Sequence, residues 1–160
     1  MKRRLFSLAC TLLLIMGMMS VAVIDSQASD EMPMIDGSYL THDDESMGYD
    51  TKITRGEDLL TGYSKCVRLG PEELYAGGTT IAADTVEDVG VGIDIQRARK
   101  GDDRWGGYAT WQKHSKNVDR VSDNRFLEVE GGYYYRVCCT HSANSDMSSS
   151  FTDGIYIEKK

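Results

Sequence analysis

The sequence contains two prolines against sixteen glycines, and no window keeps helical spacing for more than about two turns. Without a sustained apolar repeat of 3.6 residues, helical bundles are excluded. Short alternating apolar runs separated by glycine are typical of strands joined by tight turns. A length of 160 residues with 41% hydrophobic residues is enough for one core and hardly more. The composition therefore predicts a single all-β domain.

Motifs that mark metal and catalytic sites are also absent from the sequence. There is no Cys-x-x-Cys and no histidine pair at ligand spacing, the usual signatures of a zinc site. Nothing resembles the Gly-x-Ser-x-Gly turn of a serine hydrolase, and His42, His114 and His141 are isolated from any candidate nucleophile. The acidic cluster at 43–45 lacks the Asp-x-Asp-x-Asp-Gly spacing of a calcium loop. The sequence predicts no metal, no cofactor and no catalytic residue.

Basic clusters are missing from most of the chain. Lysine and arginine total 18 against 25 acidic residues, which gives a net charge of −7. Because binding to phosphate backbones requires clustered lysine and arginine, nucleic acid is excluded as a partner.

Residues 1–28 have the pattern of a signal peptide. A basic start at residues 2–4 precedes an apolar run that ends at Val23, and Ser26-Gln27-Ala28 offers small side chains for cleavage. The competing interpretation is a retained anchor, since the run approaches the roughly 20 residues of a membrane span. Cleavage after Ala28 would leave a chain with a net charge near −9. We expect a secreted, extracellular protein with no stable membrane insertion after cleavage.

Three cysteines follow this segment, namely Cys66, Cys138 and Cys139. An odd number allows at most one internal disulfide. Cys138 and Cys139 fall on opposite faces of one strand, so they cannot both reach one partner. Cys66 lies on the first predicted strand of the domain, and we expect any internal disulfide to join Cys66 and Cys139, with Cys139 facing the core.

The remaining chain divides into an acidic, partly irregular segment at 29–59 and a β-domain at 60–160. About seven short strands are predicted, at 63–68, 73–83, 88–96, 105–112, 118–130, 133–140 and 154–158. Polar stretches at 113–117 and 142–150 are predicted as connections. Turns every ten or so residues predict an antiparallel β-sandwich, similar to immunoglobulin and fibronectin type III domains. Its core is predicted to contain Val89, Val91, Ile93, Ile95, Tyr135, Val137, Ile155 and Ile157.

Two sets of aromatic residues are candidates for ligand contact. Trp105, Tyr108 and Trp111 could stack on sugar rings if they were exposed, but tryptophan on one face of a strand is usually core, and we favour the core. Tyr134 and Arg136 lie on the face of their strand opposite to the core residues. An exposed aromatic beside an arginine is a common binding composition, so these two residues are the predicted binding surface, with the stretch at 142–150 at its rim.

Several motifs resemble an uncharacterised family of small secreted proteins from Gram-positive bacteria. They are DGSYLTHDDES, TRGEDLL, GGYYYRV, the following His141, and TDGIYI, and they extend from Asp36 to Ile157. The strands from 127 to 157 also resemble the closing strands of fibronectin type III and immunoglobulin-like domains. Cys138 and Cys139 depart from the family pattern. The resemblance implies a secreted bacterial protein and supplies no catalytic residue.

Three classes of function stay open at this point. The sequence favours a non-catalytic binding module for an unknown protein or glycan at the cell surface. The alternative is a small secreted hydrolase that acts on glycan or peptide, which would need a pocket with converging polar groups. A structural component of the envelope is not separated from the first class by sequence.

Overall fold

A computed structural model describes residues 32–51 and 56–160. The strands are β1 (Met34–Ile35), β2 (Ser38–Thr41), β3 (Glu45–Tyr49), β4 (Leu59–Gly70), β5 (Glu73–Ala98), β6 (Gly106–Glu128), β7 (Tyr133–Ala143), β8 (Asp146–Phe151) and β9 (Gly154–Ile157). They hold about 75% of the described residues, among which there is no helix, so the all-β prediction is confirmed. No helix that could cross a membrane is therefore found in this part of the chain. The predicted signal peptide at 1–28 lies outside the described residues.

The nine strands form one curled, mixed sheet in the shape of a half-barrel. Its order is β1-β2-β9-β7-β5-β4-β3, with β6 paired to β5 and β8 paired to β7. The pair β2–β9 is parallel and the other pairs are antiparallel. The prediction of an antiparallel sandwich of about seven strands is therefore only partly met: the class is correct, but the sheet is single and mixed.

Two long bent strands explain this difference. The predicted strands at 73–83 and 88–96 are both part of β5, which is 26 residues long. Those at 105–112 and 118–130 join through the polar stretch 113–117 to form most of β6. The bend lies where the register of β5 on β6 shifts between Ile81 and Val86. The polar stretch 113–117 has the composition of a connection, but residues 113–116 pair with β5, and only residues 82–85 of β5 lack a partner on β6 at the bend.

The bend creates two layers that face each other. The first layer contains β3, β4, residues 73–82 of β5 and residues 120–128 of β6, and the second contains β7, β8, residues 89–98 of β5 and residues 106–116 of β6. A Cβ added at Gly78 in the first layer would lie 2.5 Å from Cys139 Sγ in the second. The layers therefore approach so closely at this point that only glycine fits.

The core lies between these layers, and its predicted residues are confirmed. All eight belong to one buried cluster, together with side chains such as Leu74, Ala76 and Trp111. Strict alternation along β5 sends the apolar residues of 89–95 inward. The same alternation leaves Gly90, Gly92 and Asp94 on the outward side of the second layer.

The acidic segment at 29–59 is more regular than its composition predicted. In the described residues of this segment, β2 pairs with β9 and β3 pairs with β4, and β4 begins at Leu59. Ion pairs such as Lys65 with Glu45, at 3.1 Å, accompany the β3–β4 pairing. The polar stretch at 142–150 is likewise the end of β7, a turn at Asn144 with a φ of 49°, and most of β8.

Candidate functional site

The outward face of the second layer carries a trough that encloses about 740 Å³. Gly90 and Gly92 of β5 form its floor and Asp94 lies at one end of that floor. Its walls are Thr110, Gln112 and His114 of β6 on one side and Cys138, Thr140 and Ser142 of β7 on the other. Met147, Ser149 and Phe151 of β8 line the rim beyond β7. The trough thus follows the direction of β5 between two polar walls.

The two glycines of the floor have different surroundings. Gly90 pairs with His114 on one neighbouring strand and with Ser142 on the other. A Cβ at Gly90 would lie 2.5 Å from Ser142 Oγ and closer still to His114 Cε1. At Gly92 the nearest atom would be Thr140 Cβ, at an ordinary 3.7 Å. The side chains of His114 and Ser142 therefore lie over Gly90, whereas Gly92 has room above it for a side chain.

A relay of polar side chains fixes Asp94 at the closed end. Gln96 Nε2 donates to Asp94 Oδ2 at 2.6 Å, and Arg136 Nε donates to Gln96 Oε1 at 2.9 Å. Arg136 also donates to the backbone oxygen of Asp36 at 3.0 Å and to its carboxylate at 3.1 Å. The relay orients one carboxylate oxygen of Asp94 toward Gln96.

The predicted binding residues Tyr134 and Arg136 lie at this closed end, but they are covered. Their side chains are only 6% and 5% exposed, so the expectation that they face solvent is wrong. Strands β1 and β2 pack over them, and Arg136 stacks 4.7 Å above the ring of Trp105. Both residues lie on the outward face of β7, but the exposed part of that face begins at Cys138. The N-terminal segment was expected to be irregular, and no sequence signal showed where it would pack.

The open end of the trough carries a histidine and a carboxylate. His114 Nδ1 lies 2.8 Å from Asp88 Oδ2, and Ser142 lies across Gly90 from the same ring. In the sequence, His114 is isolated, because Asp88 and Ser142 are far from it along the chain. The available signal was Gly90 in an otherwise strict strand, which leaves room for side chains from both neighbours.

His141 is the opposite case, since it is completely buried between the layers. Thr80 Oγ1 donates its proton to Gly90 O at 2.8 Å, so it accepts from His141 Nδ1 at 2.9 Å. The proton therefore sits on Nδ1, and Nε2 accepts from Ser150 Oγ at 2.8 Å. Burial lowers the pKa of His141 to about 4, which keeps the ring neutral at pH 7. This histidine is structural.

The three cysteines described are free thiols, so the Cys66–Cys139 disulfide favoured by the sequence is not formed. Cys66 donates to Tyr135 O and Cys139 to Gly77 O, at 3.6 and 3.9 Å. Burial raises the pKa of both thiols to about 12. Cys139 faces the core, as alternation predicted, and Cys138 is half-buried in the trough wall.

The tryptophans do not form an exposed platform. Trp111 is buried in the main core, as favoured, and Arg125 lies 4.5 Å over its ring. Trp105 is half-buried and donates from Nε1 to Ile35 O at 2.8 Å, which fastens β1 over the closed end. Tyr108 is the exposed member of the three. In the described part of the chain, no group of three or more His, Cys, Asp and Glu residues is placed to hold a metal ion.

Comparison with known proteins identifies no family. No protein-family model matches the chain, and no curated protein matches it. Among solved structures, the chain has a likeness to the sporulation control protein Spo0M from Bacillus subtilis, with 10% identity and a TM-score of 0.34. The match covers 57% of this chain and 44% of that one, so the chain spans less than half of the length of Spo0M. A likeness this weak carries no argument about fold or function.

Proposed function

We propose that the protein is a secreted or cell-surface binding module, without catalytic activity, whose trough holds an extended neutral glycan. The single observation that carries the proposal is the trough itself, a glycine-floored channel between two polar walls. The channel is open along β5, so it suits a segment of a polymer better than a compact small molecule.

The lining of the trough favours a ligand rich in hydroxyl groups. Gln112, Thr140, Ser142 and Ser149 present side chains that both donate and accept hydrogen bonds. Phe151 adds an exposed aromatic ring at the rim, a surface on which the C–H face of a sugar ring can pack. Hydroxyl-rich walls with an apolar rim match the two kinds of surface that a sugar ring presents.

Charge argues for a neutral polymer over an anionic one. Asp94 is the single carboxylate among the lining residues, and the chain as a whole carries a net charge of −7. Both would repel a polyanion at the low ionic strength where such forces are strong. Asp94, held by Gln96, can accept hydrogen bonds from two neighbouring hydroxyl groups of a sugar.

The length of the floor also fits a polymer segment. Gly90 and Asp94 are four residues apart on one strand, which corresponds to roughly 13 Å along the trough. A few repeating units of an extended chain can therefore lie along the floor and contact successive rows of side chains.

Titration calorimetry with fractionated cell-wall and capsular glycans tests the proposal, with Gly92→Val as the informative variant. The valine fills the floor, where an added Cβ meets no atom closer than 3.7 Å. We expect this variant to lose most of its glycan affinity while its unfolding midpoint changes little. Gly107→Val is the matched control, because a Cβ at Gly107 meets nothing within 4 Å and the position lies outside the trough. Equal glycan binding by wild type and Gly92→Val would refute the trough as the site.

One observation favours a secreted hydrolase as a second candidate, namely the pairing of His114 with Asp88 beside Ser142. For ester hydrolysis, Ser142 Oγ would attack the carbonyl carbon while His114 Nε2 takes its proton, and Asp88 would hold the ring through Nδ1. His114 would pass this proton to the departing alcohol, and a water molecule would then hydrolyse the acyl-serine and return the proton to Ser142. Ester turnover that is abolished by both Ser142→Ala and His114→Asn would establish this candidate. Glycan binding without turnover of acetylated glycans would reject it.

A further inference from the structure

Strand β6 has a long edge that pairs with no other strand in the described parts of the chain. One edge of β6 pairs with β5 along nearly its full length. The strand is 23 residues long, and most of its side chains are half or fully exposed. A long open edge is a template for pairing with another strand, and proteins ordinarily shorten or cover such edges.

The outward backbone groups of this edge are occupied by side chains of the same protein. Lys113 Nζ donates to Ser122 O at 3.0 Å, and the Asn124 N–H donates to Asp123 Oδ1 at 3.0 Å. Tyr108 Oη donates to Glu128 O at 3.4 Å. The backbone groups of residues 122, 124 and 128 therefore point away from β5. Because direction alternates along a strand, the even-numbered residues from 120 to 128 form the open edge.

The sequence of this edge is complementary to itself when it is reversed. Residues 120–128 read RVSDNRFLE, with Asn124 at the centre. In an antiparallel pair centred there, Arg120 lies opposite Glu128 and Asp123 lies opposite Arg125. The remaining pairs are Val121 with Leu127 and Ser122 with Phe126. Each charge thus meets its opposite, and the two aliphatic residues meet each other on the inward face.

We propose that two copies of this chain pair through residues 120–128 as antiparallel strands, with a two-fold axis at Asn124. In this register every outward residue meets an outward residue, so the N–H and C=O groups of the two strands bond to each other once Lys113, Asp123 and Tyr108 release the groups that they occupy. Moving the centre by one residue places Asp123 against Asp123 or Arg125 against Arg125, so like charges oppose the neighbouring registers. Charge complementarity therefore favours a second copy of this chain as the partner, and it favours the register centred on Asn124 over the neighbouring registers.

The exposure of one aromatic side chain in the monomer fits this pairing. Phe126 is 72% exposed, the largest exposure among the big apolar side chains described, and the pairing places it beside Ser122 of the second copy. The contact is isologous, as a two-fold dimer requires, and it continues the first layer from one copy into the next. One strand pair buries little surface, so the dimer is weak and depends on concentration. The trough lies in the other layer, so pairing leaves it open.

Sedimentation of the purified protein, expressed from its complete coding sequence, tests the proposal. We expect a monomer–dimer equilibrium for the wild type. Arg120→Glu and Glu128→Arg, each made alone, place like charges opposite each other and should weaken dimerisation by roughly tenfold or more. The double variant with both changes restores opposite charges and should recover the dimer. In the described structure the side chains of Arg120 and Glu128 make no hydrogen bond and no ion pair. We therefore expect these variants to keep the fold, and a thermal melt checks this.

Two further variants keep the test specific. Lys116→Glu changes a charge on β6 outside residues 120–128 and should leave the dimer unchanged. Asn124→Pro removes the central outward N–H, which does not bond to β5, and should give a monomer. The proposal is overturned if the wild type is monomeric up to about 1 mM. It is also overturned if the single charge variants dimerise as well as the double variant.

Discussion

The outward face of the second layer is covered by other strands at one end and exposed at the other, although the same strands form both ends. At the closed end the face presents Tyr134, Arg136 and Trp105, and β1 and β2 pack on these large side chains. At the open end it presents Gly90 and Gly92, and a trough remains. Alternation assigns both ends to the outside. An outward face is covered only where another part of the chain packs on it. Such packing requires large side chains on that face.

Tyr134→Ala should give the largest effect, because it removes the contact between the closed end and its cover. Tyr134 packs with Ile35, Leu40 and Ala98, and its ring lies 5.1 Å from that of Tyr156. We expect a loss of about 3 kcal/mol in the free energy of unfolding, as for truncation of a buried aromatic residue. Thr140→Ala, at the exposed end of the same strand face, should change it by less than about 0.5 kcal/mol. Equal losses in denaturant titrations would remove the distinction between the two ends.

Acidification should destabilise the protein through the buried His141. His141 has a folded pKa of about 4 against a usual 6.5, so the unfolded chain binds more protons between these values. Stability therefore falls as the pH drops from 6.5 to 4, by an amount on the order of 3 kcal/mol for this group. The comparison of wild type with His141→Gln at pH 7 and pH 4 isolates that contribution from the carboxylates. A His141→Gln protein that loses as much stability as the wild type between pH 7 and pH 4 would contradict the assignment.

Alanine substitution at the two glycines of the floor should have smaller effects on stability, and the two effects should differ in direction. At Gly90 the new Cβ would overlap His114 and Ser142, whereas at Gly92 it meets only ordinary contacts. We expect Gly90→Ala to cost about 1–2 kcal/mol of unfolding free energy. Gly92→Ala should be neutral or slightly stabilising, since alanine restricts the unfolded chain. Chemical denaturation of both variants checks this, and equal costs would mean that the floor is uniformly crowded.

Thiol labelling of the native protein gives the finest test of the same surface. Cys138 lies in the trough wall, while Cys66 and Cys139 are buried between the layers. Cys138 should therefore react first, and the other two only as the protein unfolds. Mass spectrometry of partially labelled protein resolves the order. Early labelling of Cys139 would reverse the assignment of inward and outward faces on β7.

Local patterns predicted the strands and the core because both depend on neighbours along the chain. Alternation at 89–95, 133–139 and 154–158 was enough to place every predicted core residue. The long bent strands were not predictable, because the gap between the predicted strands at 83 and 88 and the polar stretch 113–117 both have the appearance of connections. Residues 113–116 stay in the ladder because β5 pairs with them, and residues 82–85 lose their β6 partners at the bend while the strand goes on.

The candidate site was predictable in part for the same reason. Alternation identified the outward face of β7, and Gly90 and Gly92 were visible as the gaps in a strict strand. The pairing of His114 with Asp88 joins residues 26 positions apart, and Arg136 reaches Asp36 across 100 positions. No window of the sequence contains either pair.

By itself, then, the sequence determined the all-β class, the inward side of the strands at 89–95, 133–139 and 154–158, and the eight central core residues. Those features follow from the two-residue period of a strand and from the free energy of removing apolar side chains from water. Only the tertiary structure decided that the strands form one curled sheet, that β1 and β2 cover Tyr134 and Arg136, and that the trough stays open. These outcomes depend on which surfaces pack together in the folded protein. That packing is determined by shape and by hydrogen bonds between residues that are far apart in the chain.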